Sequence, residues 1–306
     1  MRIATISQRL CLISGGGAID VERASSGRFG SDPAAVYPRW QEFTDWAASA
    51  TFPEPAPFAA EALGSPSPSP RQVFGIGFNY SEHAAETGFA KPEIAPPVFT
   101  KFPSCITGPC GEITLPPGGH TDWEIELVVV VGRTAAHVRS RAAWDYVAGL
   151  SVGQDVSERR LQMAGTPPQF NLGKSYPGFG PVGPWLVTPD EFANPDDLEL
   201  GCAINGVQMQ KGRTSDLIFT VGDLIEHLSA VAPLLPGDLI FTGTPSGVGL
   251  GRNPQRWLAP GDVLTSYIES IGEMRHTFVE RAGLMRTEPD PAGPEAGRLP
   301  PAGTSV

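Results

Sequence analysis

The chain lacks the features of a membrane or nucleic-acid-binding protein. No run approaches the roughly 18 consecutive apolar residues that cross a bilayer, and the first residues show no secretory signal. Basic residues are also few, since 22 Lys and Arg stand against 33 Asp and Glu for a net charge of −11. That balance argues against nucleic acid or an anionic membrane as a partner. These absences predict a cytoplasmic protein.

Cysteine and histidine are scarce as well. The four cysteines stand apart, without a Cys-x-x-Cys pair or a nearby histidine at zinc spacing, and there are only five histidines. This pattern indicates buried free thiols in a reducing compartment rather than a disulfide framework. A zinc site is not expected either.

The residues that are abundant indicate a folded, turn-rich protein. Of 306 residues, 41% are hydrophobic and 18% charged, with 36 glycines and 32 prolines. This composition favours an α+β, strand-dominated body with few long helices. Three short strands at 2–7, 10–14 and 18–23 and a helix at 39–50 precede a proline-rich stretch. We therefore predict a small N-terminal domain with its linker (1–70), a catalytic domain (71–282) and a disordered tail (283–306).

Two glutamates, Glu124 and Glu126, stand one residue apart in an apolar run that predicts a strand. Because side chains alternate along a strand, both carboxylates face one way, about 7 Å apart, while Trp123, Ile125 and Leu127 face the other way. The four valines that follow indicate burial on both faces. A bound cation would relieve the repulsion between buried carboxylates, whereas the alternative is an edge strand with a solvated acidic face.

A third carboxylate, Asp155, ends another apolar run where a strand leads into a short helix predicted at 157–163. Asp at such a junction is often only a helix N-cap. As a ligand it would complete an all-oxygen set with the two glutamates, which suits Mg²⁺, Mn²⁺ or Ca²⁺. Three protein oxygens would leave positions open for a chelating substrate and water.

Further candidates lie in three other segments. His83 and Glu86 stand at i and i+3 on a predicted helical turn, close enough for the carboxylate to orient the imidazole as a general base. Lys174, in a loop rich in Gly and Pro, could stabilise an oxyanion, although a solvated lysine is the usual case. A glycine-rich turn at 241–251 would let backbone N–H groups and the Thr244 hydroxyl approach an anionic ligand.

In their order and spacing, these segments resemble the fumarylacetoacetate hydrolase family. The resemblance covers about residues 72–280 and rests on Gly77-Phe-Asn-Tyr-Ser-Glu-His83, Asp122-Trp-Glu-Ile-Glu-Leu127, Asp155 through Arg159 to Gln162, Gly173-Lys174, Pro181-Val-Gly-Pro184, Asn205-Gly206 and Thr242-Gly-Thr-Pro245. It implies a mixed β-roll catalytic domain, preceded by a small N-terminal α/β domain, in a homodimer. Arg160 stands where many relatives carry an acid, and a fourth metal carboxylate upstream of the histidine is not obvious. The second departure favours the smaller acylpyruvate-type branch.

The resemblance also implies roles for single residues. Glu124, Glu126 and Asp155 would bind Mg²⁺ or Mn²⁺, and His83 with Glu86 would activate water on a lid over the substrate. Three further side chains would polarise substrate oxygens, namely Lys174, Arg159 and Gln162. Thr244 would hold a carboxylate end.

Together these features predict metal-dependent hydrolysis of a C–C bond in a small anionic β-diketo or acylpyruvate-type 2-oxo acid, through an enolate. The same enolate chemistry serves an isomerase or a decarboxylase acting on a 2-hydroxymuconate-like dioic acid. The pair His83–Glu86 favours hydrolysis, because only hydrolysis needs an activated water. A ligand-binding protein without catalysis is a third alternative, which the intact candidate site argues against.

Overall fold

The computed structural model describes residues 1–88 and 91–280. Within them the chain forms short strands and six short α-helices, as expected for a strand-dominated α+β protein. The strands are β1 (Arg2–Ile6), β2 (Arg9–Ser14), β3 (Gly17–Asp20), β4 (Leu63–Gly64), β5 (Val73–Ile76), β6 (Val98–Thr100), β7 (Ile106–Thr107), β8 (Cys110–Leu115), β9 (Thr121–Asp122), β10 (Ile125–Val131), β11 (Val147–Gln154), β12 (Ser157–Glu158), β13 (Gly180–Val187), β14 (Glu199–Ile204), β15 (Val207–Arg213), β16 (Leu239–Phe241), β17 (Val263–Ile268) and β18 (Gly272–Glu280). The helices are α1 (Val21–Ala24), α2 (Trp40–Ser49), α3 (Ser81–Glu86), α4 (Arg159–Gln162), α5 (Phe170–Gly173) and α6 (Val221–Ser229).

These strands form two main sheets and one small pair. The larger sheet has the order β3-β2-β1-β13-β11-β10-β16-β5-β6, with β4 added to β1 and β7 added to β13. A five-stranded sheet has the order β15-β14-β17-β18-β8, and β12 pairs with β9. Most pairs are antiparallel, but β5 with β16, β7 with β13 and β8 with β18 are parallel. The sheets are therefore mixed, as predicted.

The central strand β10 is buried along its whole length. Leu127, Val129 and Val131 belong to one hydrophobic core, whereas Val128 and Val130 belong to a second core on the opposite face. This arrangement confirms that the run of valines is covered on both faces, and it excludes a solvated edge strand. The face of β10 that carries Glu126 is therefore buried, and a charge on that face needs a partner.

The N-terminal strands join the large sheet. β1 pairs with β13, with Ile3 opposite Leu186, and β4 pairs with β1 from within the proline-rich stretch predicted as a linker. In that stretch the buried Ser67 hydroxyl donates to the carbonyl of Gly237 at 2.7 Å. The domain boundary near residue 70 stays a prediction, and the large sheet contains strands from both sides of it. The tail predicted to be disordered, 283–306, lies outside the described residues.

Most of the strands and helices predicted from local sequence patterns are present, but two of the predicted boundaries are wrong. The turn Asn205-Gly206 has φ values of 53° and 79° and joins β14 to β15, as predicted for this hairpin. The third strand, however, ends at Asp20, whose side chain accepts from Arg23 N and caps α1. The helix expected at 157–163 begins only at Arg159, because the two residues before it pair with β9. Among the described residues no helix is long and apolar enough to cross a membrane.

Candidate active site

Three carboxylates meet where β10 begins and β11 ends. Glu124 precedes β10, Glu126 lies within it, and Asp155 follows β11. These strands pair antiparallel, and the Asp155 amide donates to the Glu124 carbonyl at 2.9 Å. One oxygen from each carboxylate lies within 4.8 Å of the others, and all three side chains are buried. The predicted triad is therefore assembled, and Asp155 is not a helix cap, since Glu158 caps α4.

The triad fits a hard divalent cation. Within the described chain, Glu126 has no lysine, arginine or histidine nitrogen at ion-pair distance, and its Oε2 accepts only from the Gly243 amide at 2.7 Å. Burial, with the charges of Asp155 and Glu124, raises the pKa of Glu126 well above its usual value. A buried carboxylate under this repulsion is relieved by a cation. The all-oxygen donor set suits Mg²⁺ or Mn²⁺.

Lys174 is buried in the centre of the cluster, only 2% exposed, so the usual expectation of a solvated lysine is wrong here. Its Nζ lies 2.7 Å from Glu124 Oε2, 2.6 Å from Asp155 Oδ2 and 2.8 Å from Ser157 Oγ. Burial alone would lower the pKa of Lys174, but the charges of Asp155 and Glu124 outweigh it and raise the pKa. The ammonium therefore stays charged, with three hydrogen bonds to use its three N–H donors.

A second buried lysine, Lys101, was missed by the sequence reasoning. Its Nζ lies 2.6 Å from Asp155 Oδ1 and also donates to the Lys174 carbonyl. The side chain is fully buried behind Asp155. The available signal was its position between Thr100 and Phe102, in a run with apolar character, in a chain that has only four lysines.

Arg159 closes the other side of the cluster. Its Nη2 lies 2.8 Å from Asp122 Oδ2 and 2.7 Å from Glu124 Oε1, and its Nη1 donates to Gln162 Oε1 at 2.8 Å. Burial raises the pKa of Glu124, but the charges of Lys174 and Arg159 outweigh it and hold this pKa well below its usual value. Asp122 is fully buried, and the sequence patterns assigned it no role. Arg159 and Gln162 are thus adjacent, and both border the cavity.

The pair His83–Glu86 forms as its helical spacing predicts. On α3 the His83 Nδ1 lies 2.9 Å from Glu86 Oε1. The Glu86 carboxylate also accepts from the Gly247 amide at 2.9 and 3.1 Å, so it is fixed from two sides. His83 is 5% exposed and borders the same cavity as Glu124 and Glu126. The geometry thus combines a carboxylate-oriented imidazole with the triad.

The glycine-rich turn at 241–251 binds carboxylates of the protein itself, whereas the sequence predicted that its amides face an anionic ligand. The Gly243 amide donates to Glu126 at 2.7 Å, and the amides of Gly249 and Leu250 donate to Asp122 at 2.6 and 3.0 Å. The Thr244 hydroxyl accepts from Gln210 Nε2 at 2.7 Å and borders the cavity. The turn therefore positions acidic side chains, and Thr244 keeps its O–H to donate.

The cavity enclosed by these groups measures about 30 Å³. It has room for about two water molecules. The lining also includes the hydrophobic side chains of Phe78, Phe99 and Phe170.

Comparisons with known proteins agree with this geometry. The family model described as "Fumarylacetoacetate (FAA) hydrolase C-terminal" matches residues 72–279. The chain is 44% identical over 212 residues to 2,4-didehydro-3-deoxy-L-rhamnonate hydrolase from Sphingomonas sp. (strain SKA58), covering 68% of this chain and 73% of that one.

Two solved structures show the same fold. A crystal structure from Mycobacterium smegmatis is 54% identical with a TM-score of 0.89, covering 92% of this chain and 99% of the other. Maleylpyruvate hydrolase from Sphingobium sp. SYK-6, solved with manganese(II) and pyruvate, is 27% identical with a TM-score of 0.74 and the same coverage. Family description, sequence and fold agree, and this chain is an enzyme of the fumarylacetoacetate hydrolase family.

Proposed function

We propose that the enzyme hydrolyses a C–C bond in a small acylpyruvate-type 2-oxo acid with the help of a divalent cation. The observation that carries the proposal is the shared cavity, which His83 borders together with Glu124 and Glu126 of the buried triad. The relatives named as hydrolases of a rhamnonate derivative and of maleylpyruvate support a small organic acid as substrate. The manganese in the second relative supports a metal.

Glu124, Glu126 and Asp155 would hold Mg²⁺ or Mn²⁺. Bound there, the cation would act as a Lewis acid that stabilises the enolate of a chelating 2-oxo acid. Lys174 would contribute mainly its charge, because its three N–H donors already contact Glu124, Asp155 and Ser157. A fixed positive charge in a dry site stabilises developing negative charge without reorganising at the moment of reaction.

His83 would act as the general base. The Glu86 carboxylate can only accept, so the neutral imidazole carries its proton on Nδ1 and leaves the Nε2 lone pair to take a proton from water. The water oxygen then bonds to the distal carbonyl carbon, and the adjacent C–C bond breaks. Its electron pair stays on the pyruvate fragment as an enolate. A proton returned by the imidazolium completes the products, a carboxylic acid and pyruvate.

Arg159, Gln162 and Thr244 would orient the substrate. Arg159 and Gln162 are hydrogen-bonded to each other at the cavity border, so substrate oxygens would meet them as a unit. The Thr244 hydroxyl, held by Gln210, would donate to a carboxylate oxygen. Such positioning contributes to the rate because it converts loose encounters into a fixed geometry.

Isomerisation or decarboxylation would use the same enolate stabilisation without an activated water. The pair His83–Glu86, fixed by Gly247, is the observation that favours hydrolysis over both. A homodimer and a cytoplasmic location stay predictions.

The test is a product analysis with acetylpyruvate as the first substrate. With Mg²⁺ or Mn²⁺ present, we expect equal amounts of pyruvate and acetate, with loss of turnover in a chelator and recovery when metal is added back. Acetylpyruvate consumed without acetate would refute hydrolysis. Full activity in the chelator would refute the metal scheme.

A further inference from the structure

The cavity lining combines charged and hydrophobic side chains. Its charged residues are Glu124, Glu126, Lys174 and Arg159, where the 2-oxo acid end of a substrate would bind. The hydrophobic residues of the lining are Ile76, Phe78, Phe99, Met163, Phe170 and Leu250. A substrate held through its 2-oxo acid end therefore has mostly hydrocarbon around the rest of its chain.

The three phenylalanine rings of the lining pack against one another through Phe170. The Phe170 ring lies 6.3 Å from Phe78 at 78° and 5.8 Å from Phe99 at 61°, which are edge-to-face contacts. Lys174 Nζ lies 4.9 Å from the centre of the Phe99 ring. Phe99 thus contacts both the Phe170 ring and the Lys174 ammonium.

The cations at the cavity are already paired with the protein's own carboxylates. Lys174 contacts Glu124 and Asp155, and Arg159 contacts Asp122 and Glu124. Among the described residues that border the cavity, these are the only lysine and arginine, and the His83 imidazole is engaged with Glu86. A second carboxylate on the substrate would find no unpaired lysine or arginine among the described residues of the lining.

The geometry points to a substrate with a single carboxylate and an uncharged far end, and to discrimination against dioic acids. This inference rests on the proposed function and makes it narrower. An ionised carboxylate buried without a partner loses its hydration and gains nothing in return. A methyl or other neutral group in that place gains from contact with the phenylalanine wall. The alternative substrates of hydroxymuconate type, which carry two carboxylates, would therefore be disfavoured.

The test compares two probes of equal chain length, 2-oxohexanoate and 2-oxoadipate, which differ at the far carbon by a methyl group or a carboxylate. Their binding to the Mn²⁺-loaded enzyme is measured by titration calorimetry, which needs no turnover. We expect 2-oxohexanoate to bind more tightly by roughly 30-fold or more. Equal affinity, or tighter binding of 2-oxoadipate, would overturn the inference while acetylpyruvate hydrolysis could still stand. Binding of neither probe would overturn the inference together with the chelation on which the proposed function depends.

A variant pair checks that charge is the cause. Met163 borders the cavity and is 38% exposed, so a lysine there can stay hydrated when no ligand is bound. We expect Met163→Lys to improve 2-oxoadipate binding by roughly fivefold relative to 2-oxohexanoate. The matched variant Met163→Leu should leave the ratio of the two affinities within about twofold of its original value. If both variants shift the ratio equally, charge does not determine the preference and the inference fails.

Discussion

Replacing Asp122 by asparagine tests whether the buried charge network is held by this side chain. Asp122 Oδ1 accepts from the amides of Trp123 and Gly249 at 2.9 and 2.6 Å. Its Oδ2 accepts from the Leu250 amide at 3.0 Å and lies 2.8 Å from both Nε and Nη2 of Arg159. Both oxygens therefore face donors only. Asn has the same shape, but its NH₂ group must point at one of these sets of donors.

The expected loss follows from two terms. Removing one partner of a buried ion pair costs about 3–5 kcal/mol, and the lower end applies because Arg159 keeps Glu124 as a partner. An amide NH₂ forced against donors adds about 1–3 kcal/mol, part of which is relieved by local relaxation. We expect Asp122→Asn to lower the free energy of unfolding by roughly 3–5 kcal/mol.

Urea unfolding followed by tryptophan fluorescence and circular dichroism measures this loss. The matched control is Glu112→Gln, an exposed carboxylate on β8, which should change the free energy of unfolding by less than about 0.5 kcal/mol. A loss below about 1 kcal/mol for Asp122→Asn would refute the reasoning, since it would mean that Glu124 and Gln162 alone secure Arg159.

Three further predictions concern the metal, the base and the pH. Glu126→Gln should weaken Mn²⁺ binding at least about tenfold in titration calorimetry, because one charged ligand is lost; unchanged affinity would remove Glu126 from the site. His83→Asn should leave Mn²⁺ affinity nearly unchanged but lower kcat by roughly 10²–10⁴-fold, and undiminished turnover would leave the imidazole without a role as base. Burial lowers the pKa of His276 from 6.5 to about 4, so the folded state disfavours its charged form. The contribution of the neutral His276 side chain to the free energy of unfolding, roughly 3 kcal/mol, is present above pH 6.5 and lost as the pH falls towards 4. His276→Gln should flatten that part of the pH–stability curve, and an unchanged curve would contradict the assignment.

Much of the fold was predictable because local patterns decide it. Alternation in the run after Trp123 indicated which side chains share a face, and the two hydrophobic cores on either side of β10 confirm it. The turn Asn205-Gly206 predicted its hairpin because both residues tolerate positive φ. The misassignments lie at junctions, where Asp20 caps a helix and β12 pairs with β9. Pairing with a distant strand is not visible in the residues of β12 themselves.

The site was predictable in its acidic part and less so in its cations. Glu124, Glu126 and Asp155 carry a signal in the sequence because carboxylates are rare in apolar strands. Lys101 carries almost none, since a lysine beside a short strand is usually solvated. The glycine-rich turn was recognised, but the partners of its amides were wrongly expected to be a ligand. The amides of this turn contact Glu126 and Asp122 in a structure where β16, the strand before the turn, pairs with β10. That pairing joins distant parts of the chain.

The sequence by itself determined the strand-rich class, the facing pair of glutamates and the helical pair His83–Glu86. Each depends on residues within four positions of one another, where the backbone period dictates which side chains meet. Only the tertiary structure decided that Lys101 and Lys174 lie buried against Asp155, since these contacts join residues 54 and 19 positions apart. The partners of a buried charge depend on which strands and helices pack around it. Those partners matter because a charge removed from water without a partner is costly. The same packing leaves no unpaired lysine or arginine among the described residues that line the cavity.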